Sequence, residues 1–143
     1  MLIAHHAQEK ERIKMMTTEA FPDIEIYVQD PDLESIENWF KELFASYSEP
    51  KRLDKRTLLY QALKADGTEV PVHVVEKAAG KYWSIWFDSP ESGWATDIEC
   101  ARAAFAFFNR TIRCSVGSWE PDQPIDLWWQ ISKKGEGEIS WPD

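Results

Sequence analysis

Apolar and polar residues alternate from Ile24 to Val28, the two-residue period of a half-buried strand. After Asp30-Pro31-Asp32 the period changes. Leu33, Ile36, Phe40, Leu43 and Phe44 recur at helical spacing beside Trp39, while Glu34, Glu37, Lys41 and Glu42 take the other side. The Asp-Pro-Asp start predicts proline at the first helical position, with acids at the positive end of the helix dipole.

Ser46 to Lys55 reads as a polar loop and Thr57 to Leu63 as a strand. Asp66-Gly67 predicts a hairpin turn, because glycine supplies the positive φ such turns require. Val70, Val72 and Val74 form one face of the return strand. Pro71 has no amide proton, so this strand is expected at a sheet edge or with its bonding side outward. A turn at Ala79-Gly80 then leads into a third strand, Tyr82 to Phe87.

Asp88 to Ala95 is rich in turn formers, and Thr96-Asp97-Ile98-Glu99 fits a capping box. Ile98, Ala101, Phe105 and Phe108 line the expected stripe of a second helix, with Ala103, Ala104 and Ala106 allowing close packing. Asn109 suits a left-handed C-cap. Ile112, Cys114 and Val116 alternate in one further strand, and Leu127, Trp129 and Ile131 in another. Gly135 to Trp141 reads either as a short edge strand or as a surface tail.

The order β-α-β-β-β-α-β-β predicts an α+β two-layer sandwich. Its sheet is mainly antiparallel, of five to six strands, with two helices on one face. Residues 17–143 form one domain, and residues 1–16 are a leader or tail. Lys10-Glu11-Arg12 is encodable by a purine run resembling a bacterial ribosome-binding site upstream of Met15 and Met16. A start at either methionine is one reading, and an ordinary tail is the other.

Composition narrows the function classes. Eight tryptophans, seven phenylalanines and four tyrosines must be largely buried, which excludes disorder. The net charge of −9 opposes nucleic-acid phosphates and anionic membranes alike. No apolar run approaches the roughly 18 residues that cross a bilayer, and the start does not resemble a secretory signal. A cytoplasmic monomer or homodimer is expected. Cys100 and Cys114 are expected to be reduced thiols, since two cysteines make no disulfide framework.

Candidate chemistry is sparse. None of the six glycines has phosphate-binding spacing, and no metal or other cofactor is implied. His73 is the sole imidazole within the domain, in opposite phase to Val72 and Val74. A nucleophilic reading pairs it with Cys114 or Ser84, whereas the structural reading is a sheet-packed histidine. Asp88, Glu91 and Asp97 cluster around one loop, although capping already explains Asp97 and Glu99.

Binding function is looked for first in Asp88 to Thr96, which joins a strand to a helix N-terminus whose amides suit a small anion. Trp94 is its aromatic anchor, either tucked under the loop or presented by it, and Arg102 and Arg113 are expected nearby. The sheet face away from the helices is expected to carry Trp86 or Trp83, with Trp128, Tyr60 and Trp119. It forms a partner platform unless the C-terminal tail and Trp141 bury it.

Without a catalytic constellation, a binding domain is favoured over an enzyme. The first reading is a protein-binding module whose acidic, aromatic surface takes a basic protein partner, as a toxin antagonist or immunity protein would. The second is a small-ligand domain using the 88–96 loop. The third is an enzyme acting through a carboxylate or His73.

Overall fold

The computed structural model describes residues 22–116 and 126–141. The expected leader or tail over 1–16, and Trp119, lie outside the described residues. Strand β1 (Ile24–Gln29) leads into helix α1 (Leu33–Leu43), followed by two short strands, β2 (Ser46–Tyr47) and β3 (Lys51–Arg52). Strands β4 (Thr57–Leu63), β5 (Glu69–Ala79) and β6 (Tyr82–Phe87) form the meander. Helix α2 (Asp97–Phe108) precedes β7 (Ile112–Cys114), β8 (Leu127–Ser132) and β9 (Gly135–Ser140).

The strands join in one antiparallel sheet of order β2-β4-β5-β6-β1-β7-β8-β9, with β3 also on β4. The chain is an α+β fold with both helices packed on one face, but the described residues form a sheet of nine strands rather than five or six. The additions are β2 and β3, inside the stretch that reads as a polar loop, and β9. Two residues are too few to show a period, and β2 and β3 exist through their pairing with the free edge of β4. Edge strand β9 carries Glu136 and Glu138, charges that discourage further pairing.

Three local expectations are corrected. Strand β5 is interior, between β4 and β6, despite Pro71. The Asp88 N–H donates to the Pro71 carbonyl at 2.8 Å, one residue beyond the last residue of β6. The reciprocal bond that proline cannot make therefore falls past the end of the ladder, where its loss is cheap.

At α1 the N-cap is Asp32, so Pro31 precedes the helix instead of opening it. Asp32 accepts from the Ser35 N–H at 2.8 Å, and the reciprocal capping box forms here. At α2 the Thr96 hydroxyl accepts from the Glu99 N–H at 3.2 Å. The third correction concerns the stripe of α2. Its fully buried face is Asp97, Cys100, Ala101 and Ala104, with Ile98, Phe105 and Phe108 only partly buried. Small side chains let the helix lie close to the sheet, and the rings reach around its flanks.

Ile24, Ile26 and Val28, with Val70, Val72 and Val74 of β5 and Ile85 and Phe87 of β6, are fully buried on the helix side. Tyr60 belongs to this core rather than to the opposite face. Its ring meets Phe40 at 5.1 Å, and its hydroxyl donates to Glu37 of α1 at 2.7 Å. Burial first, and the Glu37 carboxylate second, raise the Tyr60 pKa well above the ordinary tyrosine value. Trp83 also faces the helices. Cys100 and Cys114 are both buried. Among the described residues, no helix is long and apolar enough to cross a membrane.

Candidate functional site

Side chains in the alternate phase of the same strands form the other face, on which no described helix packs. In register, Leu59, His73, Trp86 and Glu25 make one cross-strand row. Val75, Ser84, Tyr27, Arg113 and Gln130 make the next. The face therefore has two halves with different chemistry.

One half is an aromatic box. Tyr27, Tyr82 and Trp128 are buried, and Trp141 closes over them with ring centroids 5.1–5.5 Å away. The Trp141 N–H donates to the Asp126 carbonyl at 2.7 Å, which holds the end of β9 in place. The Arg113 guanidinium lies 4.6 Å from the Tyr82 ring centre and 4.7 Å from that of Trp141. Each such contact is worth about 0.5–2 kcal/mol, the more so because the rings exclude water. Burial raises the Tyr82 pKa, and Arg113 opposes the shift. The buried Trp128 indole N–H has no acceptor among the described residues, a cost that the surrounding rings must offset. Arg113 and Trp128 thus have a structural explanation in one another's neighbourhood.

The other half is acidic and centres on Trp86, which is half-buried. Its indole N–H donates to Asp23, and its ring lies 4.5 Å from that of His73. The Ser84 hydroxyl donates to Glu25 at 2.7 Å, fixing that carboxylate beside Trp86 in the row. Asp88 stands at the end of β6 with its carboxylate 3.8 Å from His73 Nε2. That separation allows attraction but is too long for a hydrogen bond. Three carboxylates thus surround one indole.

The structure does not assemble the site around the 88–96 loop. Trp94 is tucked inward, stacked on Trp39 at 5.8 Å and edge-on to Phe87 at 5.1 Å. Arg102 instead binds Glu136 of β9 through Nε and Nη2 at 2.8–3.3 Å, an exposed pair on the far edge. Of the six residues singled out from sequence, Asp88 and Trp86 come together at His73, and Arg113 and Trp128 in the aromatic box, while Trp94 and Arg102 stand apart from both. Asp97 is 1% exposed and turned inward, away from Asp88. Cys114 is on the helix side and Ser84 is committed to Glu25, so neither pairs with His73. Asp23 and Glu25 were missed, although the phase Glu25 shares with Tyr27 marks this face.

His73 is 19% exposed, and burial holds its pKa below the ordinary histidine value, with Asp88 opposing. The unfolded chain therefore protonates first. Stability from neutral His73 is complete above the unfolded pKa of about 6.5 and is lost as pH falls through it toward the folded value. Urea midpoints at about pH 7.5 and about pH 5.5 are expected to fall further in the wild type than in His73→Gln. Equal falls would remove this assignment.

Among the described residues, no group of three or more His, Cys, Asp or Glu is placed to hold a metal. No protein-family model matches the chain, and neither a curated protein nor a solved structure matches it.

Proposed function

We propose that the protein is a non-catalytic protein-binding module of the toxin-antagonist type, taking a basic partner on the Trp86 half of the sheet face. The observation that carries this reading is Trp86 itself, half-buried and held by Asp23 and His73 between Glu25 and Asp88. A fixed indole presents a large area at little entropic cost, which is how binding hot spots are built. Asp88, whose side chain is 48% exposed, offers a carboxylate at the rim of this indole to a partner's arginine or lysine. The net charge of −9 adds steering toward a basic surface. The inward ring of Trp94 argues against the 88–96 loop as a small-ligand clamp.

Affinity purification of the full chain from its own cells tests this. One basic protein is expected at unit stoichiometry, associating more slowly as salt screens the attraction. With that partner in hand, Trp86→Ala is expected to raise Kd by about thirtyfold, the loss of roughly 2 kcal/mol, without unfolding the chain. Asp88→Asn should mainly slow association. The reading fails if only metabolites co-purify, or if a folded Trp86→Ala protein binds the partner as tightly as wild type.

A further inference from the structure

Beyond Arg113, over the adjoining ends of β1, β7 and β8, lies a groove of about 520 Å3 whose chemistry is opposite to that of the Trp86 half. Arg110, Lys133 and Lys134 line it, with amide side chains from Gln29 and Gln130 and hydroxyls from Thr111 and Ser132. Among the described residues no carboxylate lines it, in a chain of net charge −9.

The backbone explains how three cations converge. Asn109, in the left-handed region at φ 56°, ends α2 and turns the chain so that Arg110 and Thr111 run beside β1. The Gln29 N–H donates to the Thr111 carbonyl at 2.9 Å and fixes that corner. Lys133 and Lys134 form the turn between β8 and β9, held by the Lys134 N–H donating to the Ser132 hydroxyl at 3.2 Å. Because β7 lies between β1 and β8, both basic corners are brought to one end of the sheet.

Two features make the lining donor-rich. Arg52 and Arg102 are paired with Glu76 and Glu136, whereas no ion pair within 4.0 Å is recorded for Arg110, Lys133 or Lys134 among the described residues. Asp32 feels the charge of Arg110, but its carboxylate is committed to capping α1. Arg113 Nε donates to Gln130 Oε1 at 2.9 Å, which leaves the Gln130 amide NH2 group as the end that can donate further. Guanidinium, ammonium, amide and hydroxyl donors then surround one polar volume.

We infer that this groove binds a small polyanion carrying two or more phosphate or carboxylate groups, at a site separate from the Trp86 half. A single-charge anion would engage one corner, whereas the two basic corners together match a ligand with charge at both ends. The inference stands independently of the partner reading.

Calorimetric titration of the full chain with pyrophosphate, with citrate and with acetate tests it. Saturable one-to-one binding of pyrophosphate or citrate, but not of acetate, is expected, and which of the two binds distinguishes phosphate from carboxylate chemistry. The double variant Arg110→Ala, Lys133→Ala should weaken binding by about tenfold or more. Lys51→Ala with Lys55→Ala, which removes two exposed cations from the region of β3, should leave it unchanged. Should the first variant not fold, wild-type amide shifts decide, and pyrophosphate or citrate must move Thr111, Gln130 and Ser132 first. Absence of saturable binding, equal weakening in the β3 control, or shifts centred elsewhere would overturn the assignment.

Discussion

Trp39→Ala is expected to lower the free energy of unfolding by about 3–5 kcal/mol, enough to remove much of the stability of a domain this size. Trp39 is 2% exposed and is the ring on which four parts of the chain meet. It is edge-on to Phe87 of β6 at 5.8 Å and to Phe108 of α2 at 5.3 Å. Trp94 stacks on it at 5.8 Å, and Phe107 lies tilted at 6.4 Å. Truncation leaves a cavity that these rings, anchored to different elements, cannot all collapse into. Two consequences follow besides the lower urea midpoint. Trp94 loses its stacking partner, so amides of residues 88–96 should exchange faster with solvent than those of β4. The near-ultraviolet circular dichroism should also lose intensity out of proportion to one indole. Leu63→Ala, at a site 37% exposed, serves as the control, with a change within about 0.5 kcal/mol. A Trp39→Ala cost below about 1 kcal/mol would mean that the two helices are not joined through this ring.

The same residue shows which parts of the fold were legible in the sequence. Ile36, Trp39 and Phe40 are the buried residues of α1, and they stand in the stripe that helical spacing picks out. Helix α2 was read less well, because a hydrophobic stripe weights Phe105 and Phe108 above Cys100 and Ala104. Close approach favours the small residues at the contact. Tyr60 was misplaced because β4 carries apolar residues in both phases. What settles its direction is the Glu37 acceptor on α1, a contact spanning 23 positions. Strands β2 and β3 were invisible for a related reason, since pairing with an edge leaves no mark in two residues.

The candidate sites follow the same division. Alternation put Trp86 on the face away from the helices, and it put Glu25 beside Tyr27. Nothing in the sequence connects Asp23 to Trp86, which depends on β1 and β6 being neighbours. The groove was hidden more completely. Arg110 closes one connection and Lys133-Lys134 another, and each alone looks like an ordinary solvated turn. Only the adjacency of β1, β7 and β8 turns them into one lining.

Asp97→Ala is expected to cost about 2–6 kcal/mol, since it removes the acceptor of two hydrogen bonds and each donor left without one costs about 1–3 kcal/mol. Asp97 is 1% exposed in the first turn of α2, where the helix dipole favours a negative charge. Its carboxylate accepts from the Glu25 N–H at 3.2 Å and from the Ser115 hydroxyl at 2.8 Å. The register of β1 with β7, Val28 on Ile112 and Tyr27 on Arg113, carried two rungs further would set Glu25 opposite Ser115. The strand pairing stops short of that rung, and Asp97 takes its place, tying α2 to both strands. Alanine strands both donors inside the protein, and each buried donor without an acceptor costs about 1–3 kcal/mol. Asn keeps one acceptor oxygen but turns an NH2 group toward a second donor, so Asp97→Asn should fall between wild type and Asp97→Ala. A double-mutant cycle with Ser115→Ala, read from urea midpoints, should show a coupling of about 1–3 kcal/mol. Additivity within about 0.3 kcal/mol would break the link to Ser115. The consequence reaches the surface as well, because Glu25 presents its amide to Asp97 and its carboxylate to the row beside Trp86. Loosening the first should misplace the second, so a folded Asp97→Asn protein is expected to bind the basic partner less tightly than wild type, although Asp97 itself is buried out of a partner's reach.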